Sequence, residues 1–259
     1  MGVRGAVFEL LEAVFEKVKR PDTVIDIRPP ERGARASLWP HQYFKFYAYR
    51  EIFETIQKAE PEGYDGVLIG QSAEPVLSES KEVLNIPVTG ISESGFHLAN
   101  QLGESFAFVS IPTPPGVAPT KQVLPILENI KKYGLESRFK GWKSIDMSSA
   151  ELYAALAQGN REVVHKAFMD AAESLVDAGA EVILPAETLL SVALAADGII
   201  EGPGGSAIVD IVGAGVKNLE MLVDLHKSTG LLRSRSLTYA RPLPIDIADT
   251  RAAYGLEPI

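Results

Sequence analysis

Short apolar runs alternate with helix-period segments along the whole chain, and this constrains the fold more than any other feature of the sequence. The runs Gly66–Gly70, Val88–Ile91, Phe106–Ile111, Val182–Leu184 and Ile208–Ile211 have strand length and are bounded by turn residues. Thr23–Ile27 reads as one more strand. Between them the helical period recurs over Val3–Lys19, Tyr43–Glu60, Ser78–Leu84, Ser94–Leu102, Lys121–Tyr133, Ala150–Gln158, Glu162–Ala178 and Gly215–His226. In the first of these, Val7, Leu10, Leu11, Val14, Phe15 and Val18 form one stripe that ends before Pro21. Such alternation predicts an α/β chain with mostly parallel sheet covered on both faces, and ligands bind such sheets at the carboxyl ends of the strands.

Composition narrows the chemistry. With 259 residues, 46% of them hydrophobic, the chain can bury one large core or two smaller ones. A formal net charge of -9 argues against a nucleic-acid surface, which needs clustered Lys and Arg, and favours a small-molecule partner. The cysteine count is zero, so disulfides, thiolate metal sites and a cysteine nucleophile are excluded. No apolar run reaches the length of a membrane span, and Glu9, Glu12 and Glu16 stand where a signal peptide would be apolar, so the cytoplasm is the expected location. HExxH, EF-hand and GxSxG patterns are absent, and Gly202–Gly205 lacks the spacing of a dinucleotide or phosphate loop. No cofactor is expected.

A weak internal repeat supplies the candidate site. Gly63–Ser72 (GYDGVLIGQS) and Gly179–Thr188 (GAEVILPAET) share a Gly, an acidic residue, an apolar strand and a polar residue eight positions after the Gly. Those polar residues are Gln71 and Glu187, each at a strand's carboxyl end, followed by a hydroxyl (Ser72, Thr188) and an expected helix start. Two such turns facing each other would make one pocket, where helix-start N–H groups and hydroxyls suit a carboxylate or a developing oxyanion.

Longer stretches carry a resemblance. PPERGA at Pro29–Ala34, EGYDGVLIG at Glu62–Gly70, IPVTGISESGFHLA at Ile86–Ala99, YGLESRFKGWKSID at Tyr133–Asp146, GAEVIL at Gly179–Leu184, IVDIVGAGVK at Ile208–Lys217 and SRSLTYARPLP at Ser234–Pro244 together resemble the Asp/Glu/hydantoin racemases, and more closely the hydantoin racemase branch. The resemblance implies two similar, flavodoxin-like parallel-sheet lobes related by a pseudo-twofold, with the active site in the cleft between them. Residues 1–108 and 211–259 would form one lobe and residues 109–210 the other. It also implies at least a dimer, and a cofactor-independent enzyme.

Two departures stand out. The family's two cysteines, base and acid on opposite faces of the substrate's α-carbon, should fall at Gln71 and Glu187. Glutamine has no proton to exchange at neutral pH, which leaves Glu187 as a single base or acid. Its proton affinity depends on burial, which raises it, and on helix-start N–H groups, which lower it. The family also opens with a strand ending in an Asn-Pro-Asn-like turn, whereas this sequence starts in the helix expected after it. Arg28 and Arg32 in the next loop would then offer a substrate anion a partner, or would simply be solvated.

Other candidates carry two readings each. His41, beside Trp39, Tyr43, Phe44, Phe46, Tyr47 and Tyr49, belongs either to a pocket for a bulky apolar group or to the core face of a helix. Glu93 matches an acidic family position near the cleft, or caps the helix that follows. His97 reads as a packing residue. The function expected is proton transfer or bond cleavage next to a carbonyl or carboxylate of a small molecule, in an isomerase, lyase or decarboxylase, or hydrolase. The competing expectations are a non-catalytic binding or regulatory protein derived from a racemase, and an unusual hydantoin or amino-acid racemase.

Overall fold

A computed structural model describes residues 3–30 and 40–258; Arg32 and Trp39 lie outside the described residues. Two parallel sheets organise the chain. The smaller pairs β1 (Val67–Ile69) with β2 (Val88–Gly90), and the larger has the order β4 (Phe139–Ser144), β3 (Phe106–Ser110), β5 (Val182–Pro185), β6 (Ala207–Ile208). β3 and β5 are buried throughout, as central parallel strands with both faces covered should be.

Side-chain alternation along these strands separates two cores. Ala107, Val109 and Ile183 point to one face, where Leu152 of α6 (Ser149–Ala157), Phe168 of α7 (Glu162–Asp177) and Leu190 of α8 (Thr188–Ala196) pack. Phe106, Phe108, Val182 and Leu184 point to the other. There they meet Phe96 of α4 (Ile91–Leu102), Ile126 of α5 (Pro119–Lys132), Val212 of α9 (Ile211–Thr229) and Val14 of α1 (Val3–Val18). A third, smaller core joins Ile69 and Val88 of the small sheet to Ile56 of α2 (Gln42–Gln57) and Leu77 of α3 (Leu77–Val83). α4 and α9 thus carry the apolar seam between the two sheets. The division drawn at residues 108 and 109 falls inside β3, all of which hydrogen-bonds within the larger sheet.

Four sequence expectations are corrected. Thr23–Ile27 is extended but joins no strand ladder: β1 has β2 as its sheet neighbour, and Val24 is 90% exposed. β propensity describes fit to a pleated surface, so without a partner edge it forms no strand. A cavity of about 400 Å³ separates this run from α1, and neither Gln71 nor Glu187 lines it. β4 is an added strand that the apolar runs missed, because an edge strand carries polar residues; Phe139 stacks on Phe108 at 5.4 Å. α10 (Pro244–Ala253) is an added helix, while α8 begins at Thr188 where a helix start is expected, although it is so fully buried that it has no polar face to make a period. On α2 the aromatic residues do not form one core face: Tyr43, Phe46 and Tyr47 are exposed, Phe44 and Tyr49 are half-buried, and the buried face is Lys45, Ala48, Ile56 and Gln57. Among the described residues no helix is long and apolar enough to cross a membrane.

Candidate active site

Glu187 leaves the carboxyl end of β5 and is the N-cap residue of α8, yet its carboxylate does not cap that helix. It turns instead to the neighbouring strand. Ser110 Oγ, at the carboxyl end of β3, donates to Oε1 at 2.9 Å, and the Ile111 N–H donates to Oε2 at 3.1 Å. The Gln122 side chain, in the first turn of α5, is a further donor. Burial outweighs these three donors, and the carboxyl is pushed up from the usual carboxylate range to about 7. The Glu187 charge in turn helps to raise the Tyr153 hydroxyl, second to burial. Left without a side-chain cap, the first-turn N–H groups of α8 remain available to another acceptor.

The Gln71 turn is built differently. After β1 the chain does not enter a helix at once; α3 begins at Leu77, and the turn between holds Glu74 at φ 49° and Val76 at φ 54°. Left-handed backbone at non-glycine residues, one of them β-branched, is costly and needs a surrounding that enforces it. Glu74 provides that surrounding. Its N–H donates to Gln71 O at 2.8 Å, its Oε1 accepts from the Glu93 N–H at 2.6 Å, and its Oε2 accepts from the Tyr133 hydroxyl. A carboxylate from another part of the chain thereby caps α4. The approach is so close that a Cβ at residue 90 would collide with the Glu74 carboxylate, which explains Gly90. Burial pushes this carboxyl up to about 7.

The two turns meet. Thr188 Oγ1 donates to Gly70 O at 2.6 Å, joining the carboxyl end of β1 to the start of α8. α5 spans both turns, since Gln122 reaches Glu187 and Asn129 Nδ2 donates to Ser72 O at 3.2 Å. On the Gln71 side, Gln71 Oε1 and Ser72 Oγ are buried and have no hydrogen-bond partner among the described residues, a condition that such atoms seldom tolerate.

The remaining candidates are drawn into other work. Arg28 is exposed and held by Asp26 at 2.9 Å, by Glu62, and by the Tyr64 hydroxyl at 2.7 Å, so its guanidinium is spent on a surface network. Thr188 is a tie between turns, its proton committed to Gly70 O. Glu93 pairs with Lys81 at 2.5 Å and accepts from Thr89 Oγ1 at 2.9 Å, beneath the Gln71 turn. His41 occupies the N-cap position of α2, with Nδ1 3.4 Å from Lys121 Nζ. His97 is exposed and packs its ring on Tyr133 at 5.5 Å. Arg32 lies outside the described residues. Sequence reasoning passed over Ser110, Gln122, Asn129 and Glu74. Ser110 was within reach, because it ends a recognised strand at the carboxyl edge; Gln122, Asn129 and Glu74 carry no local signal. Among the described residues no group of three or more His, Cys, Asp or Glu could hold a metal ion.

Comparison with known proteins agrees with this fold. The chain is 28% identical over 225 residues to a hydantoin racemase of Pseudomonas sp. (strain NS671), covering 86% of this chain and 84% of that protein. In fold it is similar to the allantoin racemases of Pseudomonas fluorescens (TM-score 0.72, 23% identity, 93% of each chain) and Klebsiella pneumoniae (TM-score 0.70, 23% identity, 92% of this chain and 89% of that one). A glutamate racemase of Bacillus anthracis shares the fold more distantly, with a TM-score of 0.57 and 12% identity over 88% of this chain and 80% of the other. The family model for Asp/Glu/Hydantoin racemase matches residues 8–219, most of the chain, with both turns inside the match, and the protein therefore belongs to the Asp/Glu/hydantoin racemase family.

Proposed function

We propose that this family member is a cofactor-independent enzyme that moves a proton, or cleaves a bond, next to the carbonyl or carboxylate of a small molecule, with Glu187 as the one proton-transferring group. The observation that carries this reading is a half-buried glutamate at the meeting point of the two turns, its carboxyl raised to about 7. A group titrating near the working pH is divided between acid and base, the condition for efficient proton transfer in either direction. Glu187 would take a proton from the substrate carbon, or deliver one to it. The negative charge that develops on the substrate oxygen would fall to the uncapped N–H groups of α8 and to the Ser72 hydroxyl, while the Gln71 Oε1 accepts from a substrate N–H or O–H.

The two-thiol racemisation of the family is not part of this proposal. By the resemblance, Gln71 and Glu187 stand where its cysteines act, and the chain has no cysteine at all. An amide cannot supply the second base, so proton transfer from one face is what remains: isomerisation, decarboxylation or cleavage with a defined stereochemical course. Assembly as a homo-oligomer, at least a dimer, belongs to the same proposal, and a monomer by light scattering at micromolar concentration would remove that part of it.

The test is a screen of hydantoins, malonates and 2-oxo acids in deuterium oxide, following α-proton exchange and optical rotation together. Glu187→Gln, close in size, should fold normally and lose turnover. Full turnover in that variant rejects the assignment. Binding without exchange or turnover in the native protein would favour a non-catalytic binding role, and efficient interconversion of enantiomers would show that a Gln/Glu pair racemises.

A further inference from the structure

Three consecutive peptide planes of the Gln71 turn are anchored, each by a different part of the molecule. The Gly70 carbonyl accepts from Thr188 Oγ1 of α8 at 2.6 Å, and the Gln71 carbonyl accepts from the Glu74 N–H within the turn at 2.8 Å. The Ser72 carbonyl takes two donors, Ser92 Oγ of α4 at 2.8 Å and Asn129 Nδ2 of α5 at 3.2 Å, one for each of its lone pairs. A peptide unit is planar, so planes fixed on both sides of a Cα fix its φ and ψ and the direction of its Cβ. The four bonds therefore set where the side chains of Gln71 and Ser72 project.

Those side chains are treated in the opposite way. Gln71 Oε1 and Ser72 Oγ are buried without a partner among the described residues, and Ser72 as a whole is only 4% exposed. Leaving such groups unpaired works against folding, so their fixed direction is of use to a ligand and not to the fold. The bond from Asn129 joins this turn to the rest of the site. Asn129 lies seven residues after Gln122 and four before Tyr133, so the three share one face of α5. Gln122 bonds to Glu187, and the Tyr133 hydroxyl donates to Glu74 Oε2. Ile126 and Ile130 bury the adjoining face of α5 in the core, which holds this row in place.

We propose that Asn129 is a positioning residue for substrate binding, holding the Ser72 carbonyl from α5 so that the Gln71 amide and the Ser72 hydroxyl meet the substrate in a fixed direction. It touches no reacting atom and acts through Ser72. The proposal rests on the functional reading above and deepens it: α5 keeps the substrate-holding turn in register with the proton-transferring carboxyl.

The test compares the native protein with Asn129→Leu, which keeps the size and removes the donor, with Asn129→Leu combined with Ser92→Ala, and with Asn129→Gln, which returns the amide on a longer arm. Amide hydrogen exchange, read on peptides covering residues 68–77 and 182–190, needs no ligand. Exchange in 68–77 should quicken about fivefold in Asn129→Leu and further in the double variant, as loss of a hydrogen bond implies, while 182–190 keeps its native rate. On the compound that the native protein turns over, Asn129→Leu should raise KM about fivefold to tenfold with kcat within about twofold of native, because Glu187 and its donors are untouched. Asn129→Gln should recover part of the lost KM. A variant that merely folds less well loses kcat and keeps KM, so the split separates positioning from stability. Native exchange in 68–77 in the double variant, or a fall in kcat without a rise in KM in Asn129→Leu, overturns the proposal. Full turnover in Glu187→Gln defeats the catalytic reading and leaves both Asn129 results standing. If the native protein turns over none of the screened compounds, the functional reading fails and the proposal falls with it, whatever the exchange rates show of the turn.

Discussion

The turns that follow β1 and β5 repeat one sequence pattern and use it in opposite ways. After β5 the chain enters α8 directly, and the carboxyl of Glu187 turns into the cleft edge, where Ser110 and the Ile111 N–H hold it. After β1 the equivalent position is a neutral amide, and the ionisable carboxyl comes three residues later, as Glu74, turned inward onto the start of α4. Both carboxyls are raised to about 7 by burial. The comparison teaches that a shifted carboxyl is not by itself a catalytic one. Both carboxyls have each oxygen engaged by a donor, but Glu74 is 6% exposed, whereas Glu187 is half-buried and keeps surface at the junction of the turns.

The largest effect should come from breaking the chemical asymmetry. Glu187→Gln should lower kcat by roughly a hundredfold to ten-thousandfold, the usual range for general acid or base catalysis, while Gln71→Ala should act mainly on KM. In the native protein kcat/KM should rise with pH through about 7 as Glu187 becomes a base, and a flat profile from pH 5 to 9 would sink that role. Equal losses of kcat in the two variants would erase the distinction between the turns.

Glu74 supplies the next test, through stability. Its folded-state proton affinity is raised, from the ordinary 4.5 to about 7, so the native state holds a proton that the unfolded chain has released across that window. Stability from this group is therefore complete below pH 4.5 and is lost as pH rises through 7. The loss should approach roughly 3 kcal/mol as an upper bound. Thermal melting between pH 4.5 and 8 should show a fall in the native protein that is reduced in Glu74→Gln; the remaining slope belongs partly to Glu187. Unchanged slope in the variant would show that Glu74 does not titrate in this range.

Smaller changes sharpen the picture of each turn. Ser110→Ala removes a donor that favours the charged form of Glu187, so the kinetic pKa should move up from about 7, and a downward move would contradict the geometry. Thr188→Val cuts the tie to Gly70 O, which should reduce stability by about 1 kcal/mol in denaturant unfolding with a modest loss of kcat. No loss in either would mean that packing and the bonds from α5 hold the two turns together without this tie.

The sequence by itself determined the layering and the addresses of the chemistry. Strand and helix periods are local, so the alternation predicted the parallel sheets, and the position of a residue after an apolar run placed Gln71 and Glu187 at strand ends. Partners are another matter. Ser110 lies 77 residues from Glu187 in the chain and Tyr133 lies 59 from Glu74, so nothing near either carboxyl in the sequence announces what holds it. Tertiary structure decided that Thr188 ties two turns together, that Arg28 is consumed at the surface, and that Thr23–Ile27 pairs with no strand among the described residues. The physical reason is shared: desolvation and hydrogen-bond partnership depend on which segments meet in space, while hydrophobic period depends on neighbours along the chain.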